Sequence, residues 1–281
     1  MMAMTANPHR TDARTRRPAF SHLLRSEWIK LLSLPTAVLA LAMILLVGVG
    51  GSMFLALTLE SSGVPSVPSI ERTMADVTVP TVVLGQIIAG ILGVMVMCSE
   101  YASGSIQPTF TATPDRLRVL RAKAIVAVVS VTAVAAVTVA TAWAATTPLY
   151  AGFGLDAPLD APGVVVALLG SATYLGLCAL FGVGVGAVVR STTAGSIIVF
   201  LATLLLPVLT SLLPYGIVSR VLRIVQLGNA GDAMARVGAE GGPFLDLWSG
   251  HISVGAGWLI ATAWAVAALA AGAIVLRRRD A

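Results

Sequence analysis

The fold is decided by residues 164–189, which read VVVALLGSATYLGLCALFGVGVGAVV and contain no Asp, Glu, Lys, Arg or His. A helix rises 1.5 Å per residue, so this stretch would be about 39 Å long. The hydrocarbon core of a bilayer is only about 30 Å thick. The stretch is therefore typical of a transmembrane helix.

Five further stretches, of 20 to 25 residues, are equally free of charge and long enough to cross a bilayer. They are residues 36–59, 79–98, 124–147, 194–213 and 252–276. The 18 Lys and Arg residues and the 13 Asp and Glu residues all lie outside the six stretches. Because a charge at the middle of a bilayer costs about 3 kcal/mol on insertion scales, a membrane selects this segregation. The sequence predicts an all-α integral membrane protein with six transmembrane helices.

The overall composition excludes the other broad classes. The 281 residues are 57% hydrophobic and 11% charged, whereas a soluble domain has about 25% charged residues. A disordered chain would be poorer in apolar residues and richer in charge. The two cysteines, Cys98 and Cys178, are too few for a disulfide framework and have no metal-ligand spacing, so no metal site is predicted.

The distribution of basic residues predicts the orientation. With the N-terminus in the cytoplasm, 14 of the 18 Lys and Arg residues lie on the cytoplasmic side. Eight of the 13 acidic residues lie on the other side. This is the positive-inside pattern, and it places both termini in the cytoplasm. The basic character of the chain thus reflects topology, and we expect no nucleic-acid partner.

Four regions are predicted along the chain. Residues 1–19 form a disordered basic cytoplasmic tail, 20–35 an amphipathic helix, 36–276 the transmembrane domain and 277–281 a basic cytoplasmic tail. In the amphipathic helix, apolar residues recur on one face and basic residues occupy much of the rest, which is typical of a helix in the headgroup plane. Packing on a cytoplasmic protein is the alternative. The residues assigned to this interfacial helix are Phe20, Leu24, Glu27, Trp28 and Leu31.

The predicted cytoplasmic loop 99–123 is longer than a helix hairpin requires. It carries apolar residues such as Ile106 and Phe110 outside the bilayer, and exposed apolar residues indicate a docking surface. A lipid-facing linker is the alternative. Of the segments on the other side, 214–251 is the most informative, because residues 217–225 predict a short amphipathic helix and Pro207 and Pro214 predict an early end or kink of the fifth span.

Small residues inside two spans predict close helix packing. They are Gly85, Ala89 and Gly93 on the second span and Gly182 and Gly186 on the fourth. Gln86 is expected to form an interhelical hydrogen bond, with contact to a substrate path as the alternative.

The chain has no chemistry for driving transport by itself. It contains no Gly-x-x-x-x-Gly-Lys-Ser/Thr motif for binding nucleotide, and no acidic residue or histidine lies within a span to carry protons. We therefore expect a protein that is not an enzyme and binds no cofactor of its own.

Three segments resemble the permease subunit of ABC-2-type ABC transporters, in the form common in high-GC Gram-positive bacteria. The first is RSEWIKL at residues 25–31, just before the first span. The second is SEYASGSI at 99–106, followed by TPDR at 113–116 and Ala122-Lys123. The third is LGNAGDAM at 227–234, with Gly228 where the family usually has Pro.

The resemblance implies an exporter subunit in the cell membrane that pairs with a second permease subunit. The two subunits would pack about their small-residue faces and enclose a path between them. A separate ABC ATPase would hydrolyse ATP and receive loop 99–115 in a groove. The resemblance assigns this coupling role to Glu100, Tyr101, Gly104 and Ile106. The short turn at 190–193 would make a second, smaller contact with the ATPase. A secondary transporter and a non-transporting membrane scaffold are the alternatives.

Overall fold

The computed structural model describes residues 19–64, 69–102, 116–214, 216–238, 244–246 and 251–278. Its elements, in chain order, are α1 (Phe20–Ser33), α2 (Pro35–Leu57), α3 (Leu59–Ser62), α4 (Ile70–Ala102), α5 (Arg116–Ala151), α6 (Val164–Val189), α7 (Thr192–Phe200), a π-helical turn (Leu201–Leu205), α8 (Leu206–Ser211), α9 (Ile217–Val225), α10 (Leu227–Ala235), β1 (Leu245–Asp246), β2 (His251–Ile252) and α11 (Val254–Arg278).

Six helical stretches within these residues are long and apolar enough to cross a membrane. Five are the single helices α2, α4, α5, α6 and α11, and the sixth is the continuous stretch Thr192–Ser211, formed by α7, the π-helical turn and α8. The number of spans agrees with the prediction from charge segregation. The chain has the architecture of a multi-pass membrane protein.

Two helices begin well before the predicted spans. The second was predicted to begin at residue 79 but α4 begins at Ile70, and the third was predicted to begin at 124 but α5 begins at Arg116. The added turns carry charged residues such as Asp76 and Arg121. Hydropathy locates the hydrocarbon layer, whereas hydrogen bonding determines where a helix ends, so a helix can extend beyond the layer with its charges.

The core is formed by α4 and α6. In each, 61% of the most apolar window is buried inside the protein, against 17–22% for α2, the fifth stretch and α11. The outer helices instead expose large apolar side chains such as Leu46, Phe54, Leu206 and Leu259. This apolar exterior suits contact with lipid.

The fifth stretch is irregular where its sequence contains proline. The π-helical turn Leu201–Leu205 lies directly before Pro207, and the helix ends at Ser211. Because Pro207 has no amide hydrogen, it cannot donate a helical bond to the carbonyl of Thr203. The early end agrees with the prediction.

The segment after this stretch folds back along the bundle. Helix α9 occupies residues 217–225, as predicted, and α10 follows it after Gln226 in extended conformation. Helix α10 packs among α4, α6 and α11. Beyond it, Leu245 pairs with Ile252 in a short antiparallel ladder that precedes α11.

Helix α1 is separated from the first span by one extended residue. Leu34 has ψ near 113°, and Pro35 begins α2, where its fixed φ suits the first helical turn. The helix packs mainly against α5. Its buried residues are Glu27 and Leu31, whereas Trp28, also assigned to this helix from the sequence, is 39% exposed.

Candidate functional site

A buried ion pair joins α1 to α5. Nζ of Lys123 lies 2.8 Å from Oε2 of Glu27, and the two side chains are 2% and 3% exposed. Lys123 also donates to the carbonyl of Val96 on α4, at 3.2 Å. The second carboxylate oxygen of Glu27 accepts a bond from Lys30, at 2.8 Å. The Glu27–Lys123 pair thus links the N-terminal helix to two spans.

A second contact at this end of the bundle joins α4 to the turn after α6. The guanidinium carbon of Arg190 lies 5.2 Å from the centre of the Tyr101 ring, within the range of a cation–π interaction. Arg190 adopts a left-handed conformation, with φ 56°, and ends α6, while Ser191 caps the next helix. We call the region of Glu27, Lys123, Tyr101 and Arg190 the ion-pair end.

Only part of the predicted coupling set falls within the described residues. Tyr101 is half-buried in the last turn of α4. Glu100 lies in the same turn, but its side chain is outside the description. Gly104 and Ile106 also lie outside the described residues. The coupling role of all four stays a prediction.

The glycine faces of α4 and α6 pack against each other within one chain. A Cβ added at Gly93 would clash with the carbonyl of Ala179, and one added at Gly182 would clash with the carbonyl of Gly90. Gly85 faces Leu175, Gly186 faces Val94 and Met97, and Ala89 is fully buried. The expectation that these faces contact a second subunit is wrong, because the two helices already bury them against each other.

Neutral hydrogen bonds connect the helices towards the other end. The hydroxyl of Tyr174 donates to Oε1 of Gln86 at 2.5 Å and lies 3.2 Å from the carbonyl oxygen of Leu227. Gln86 donates to its own helix at Val83. Gln86 is therefore in an interhelical hydrogen bond and is 3% exposed, whereas its part in a substrate path stays a prediction.

A second group of amides surrounds the link between α9 and α10. The side-chain amide of Gln226 lies 3.1 Å from the hydroxyl of Thr210 and accepts a 3.1 Å bond from Asn229. Asn229 also donates to the carbonyl of Arg223, and Trp264 donates to that of Val225 at 2.7 Å. We call the region of Gln86, Tyr174, Gln226 and Asn229 the amide end.

Close backbone contacts fix α10 in its place. A Cβ added at Gly170 would clash with the carbonyl of Met234, and one added at Gly231 would clash with the ring of Tyr174. Thr78 donates to the carbonyl of Ala235, at 3.2 Å. The third segment of the resemblance, residues 227–234, is therefore the part of the chain that inserts among the central helices.

Sequence reasoning missed the partners at both ends. Lys123 borders the third span, and Glu27 is the one acidic residue in the N-terminal helix, so each position was unusual in the sequence. The sequence did not indicate that the two residues form a pair. Asn229 was part of the resemblance segment 227–234, and Gln226 lay in the segment 214–251, but the sequence indicated no hydrogen-bond partner for either residue. In the described ranges, no three His, Cys, Asp or Glu residues are grouped as metal ligands.

Compared with protein-family models and with curated proteins, the chain matches none.

Proposed function

We propose that this chain is the membrane-spanning permease subunit of an ATP-driven exporter of the ABC-2 type, located in the cell membrane. A separate ABC ATPase would bind and hydrolyse the ATP. This chain would form the translocation path together with a second permease subunit, identical or related.

The orientation in this proposal has both termini in the cytoplasm. It is supported by the excess of Lys and Arg in the tails and in the segments after the second and fourth spans. The ion-pair end would then lie at the cytoplasmic surface and the amide end in the outer half of the membrane. Helix α1 would lie against the cytoplasmic headgroups.

The observation that carries the proposal is the meeting of two separate motif segments at the ion-pair end. Glu27 belongs to the segment before the first span, and Lys123 ends the segment that follows the second span. Tyr101 lies near the start of that second segment and contacts Arg190, in the turn proposed as the smaller ATPase contact. A permease needs its ATPase-facing parts connected to one another, and these contacts connect them.

The packing of the central helices supports a route for coupling. Force applied to loop 99–115 would act on the end of α4 and the beginning of α5. Since α4 and α6 pack backbone to backbone through glycines, they would move together. Helix α10, packed against both, would then shift at the other end of the bundle and open or close the exit.

The second permease subunit would have to use an outer surface. The glycine faces of α4 and α6 are buried, whereas α2, the fifth stretch and α11 expose most of their apolar side chains. Such faces suit either lipid or a second chain within the membrane.

The experiment replaces Glu100 and Tyr101 with Ala in the full-length tagged chain, expressed in its native host. We expect roughly tenfold less of a co-purifying protein that carries a Gly-x-x-x-x-Gly-Lys-Ser/Thr motif, because two anchors of an interface are removed. Quantitative mass spectrometry of the purified complex measures the loss.

A matched control replaces an acidic and an aromatic residue at the opposite end of the bundle. Glu60→Ala with Phe153→Ala changes the same residue classes at exposed positions and should leave ATPase association unchanged. Wild-type chain that brings down no such ATPase would refute the proposal. Equal association of the Glu100/Tyr101 variant and the wild type would refute the coupling role of loop 99–115.

A further inference from the structure

Two adjoining hollows open between α1 and the spans at the ion-pair end. The larger has a volume of about 570 Å³ and is bounded by Phe20 of α1, the start of α5, Leu180 of α6 and Leu269 of α11. The smaller, of about 290 Å³, is bounded by Arg25 and Trp28 of α1 and shares the wall of α5 at Val129. Volumes of this size are in the range that holds small organic ligands.

The larger hollow is basic at one end and apolar along the rest of its length. Arg118 and Arg121 line it at the first turns of α5, and Ile125 and Val129 follow on the same helix. From Arg121 to Val129, α5 rises about 12 Å. Arg25 brings a third guanidinium to the neighbouring hollow, and among the described residues that line the two hollows none is acidic.

We propose that these hollows bind an anionic phospholipid. Arg118 and Arg121 would hold the headgroup phosphate, since guanidinium groups form paired hydrogen bonds with phosphate oxygens. An acyl chain would lie along Val129, Leu180 and Leu269, which are apolar and belong to membrane-spanning helices. Trp28, at the edge of the smaller hollow, has the residue type that accumulates at the membrane interface.

The arrangement of charge and apolar surface selects a lipid over a soluble anion. A free phosphate ion would need polar partners on several sides, but beyond the arginines the wall consists of apolar side chains. Basic pockets between transmembrane helices at the cytoplasmic side are typical of sites for anionic headgroups. The hollow offers both parts of such a lipid a matching surface.

The lipid also has a structural consequence for α1. Phe20 of α1 and Arg118, Leu180 and Leu269 of three spans border the same hollow, so a lipid in it would contact four helices at once. A bound lipid would thus join α1 to the spans in addition to the Glu27–Lys123 pair.

The test titrates the purified full-length chain in detergent with dioleoyl-phosphatidylglycerol or with dioleoyl-phosphatidylcholine. Native mass spectrometry measures the lipid retained. We expect the wild type to prefer the anionic lipid by about tenfold or more, and Arg118→Gln with Arg121→Gln to lose that preference while retaining phosphatidylcholine as before. The assay needs no ATPase, so its outcome is independent of the proposed function.

Two further variants make the result specific to the hollow. Arg277→Gln with Arg278→Gln removes the same charge from exposed positions at the end of α11 and should retain the preference. Val129→Trp fills the hollow without changing charge and should reduce retention of both lipids. The proposal would be overturned if the wild type retained the two lipids equally. It would also be overturned if both arginine double variants lost the preference for the anionic lipid equally, or if Val129→Trp bound lipid as the wild type does.

Discussion

The two ends of this bundle are held together by different chemistry. The ion-pair end uses a buried carboxylate between two lysines, together with an arginine over a tyrosine ring. The amide end uses neutral groups, with the hydroxyl of Tyr174 bonded to Gln86 and Gln226 bonded to Thr210 and Asn229. Both ends join helices that are far apart in sequence.

We attribute the difference between the two ends to their depth in the membrane. Lys123 directly precedes the third charge-free stretch and Glu27 precedes the first, so in the proposed orientation both would lie near the headgroups, where water can reach a charge while the protein folds. Gln86 lies inside the second charge-free stretch, where an ion would cost several kcal/mol but a paired amide is tolerated. Interactions at the ion-pair end should therefore be individually stronger, and those at the amide end weaker and more distributed.

The largest loss of stability is expected for a variant that breaks the buried ion pair at the ion-pair end. Lys123→Met removes the buried partner of the Glu27 carboxylate, and we expect a loss of about 3 kcal/mol in the free energy of unfolding, because a buried charge loses its counterion. Unfolding of the full-length chain by SDS titration in mixed micelles measures the loss.

The same carboxylate supplies the control. Lys30 binds its other oxygen, but the Lys30 side chain is 43% exposed, so Lys30→Met should cost about 1 kcal/mol or less. Combining Lys123→Met with Glu27→Leu removes both buried charges and should recover most of the stability. Equal losses from Lys30→Met and Lys123→Met would contradict the distinction drawn between buried and exposed partners.

The number of spans could be predicted because exclusion of charge from hydrocarbon acts on each helix separately. A span can therefore be identified without knowing which helices pack against one another, and residues 164–189 are an example. The ends of the helices depend on backbone hydrogen bonds and loops, which hydropathy does not report. Ile70 and Arg116 therefore begin helices that the charge pattern placed later.

The partners at the two ends could not be predicted because they depend on tertiary packing. Glu27 and Lys123 are 96 residues apart, and their pairing follows only once α1 lies against α5. The periodicity of α1 indicated an apolar face. The buried face of that helix nevertheless contains Glu27, because Lys123 neutralises its charge there. Helix α10 was predictable only as a family-like segment, although its small residues Ala230, Gly231 and Ala233 indicate close packing.

The next largest loss of stability is expected for a variant that disturbs the packing of α10 at the amide end. Gly170→Ala places a methyl group against the carbonyl of Met234, so α10 must move away from α6, at a cost of about 1–3 kcal/mol. SDS titration measures this cost. Gly50→Ala is the matched control, since a Cβ at Gly50 meets no described residue within 4 Å and the change should be neutral or slightly stabilising. A neutral Gly170→Ala would show that α10 is not fixed by this contact.

The smallest loss of stability is expected on removing a single hydrogen bond between neutral groups at the amide end. Tyr174→Phe removes the hydroxyl that donates to Gln86, and we expect a loss of about 1 kcal/mol, the size found for interhelical hydrogen bonds within membranes. A double-mutant cycle with Gln86→Leu isolates the energy of the pair. Thr173→Val is the control, because within the described part of the chain that hydroxyl bonds to carbonyls of its own helix and to no second helix. If the coupling between Tyr174 and Gln86 equalled that between Glu27 and Lys123, depth in the membrane would not be what separates the two ends, and the strength of each contact would have to come from its local packing instead.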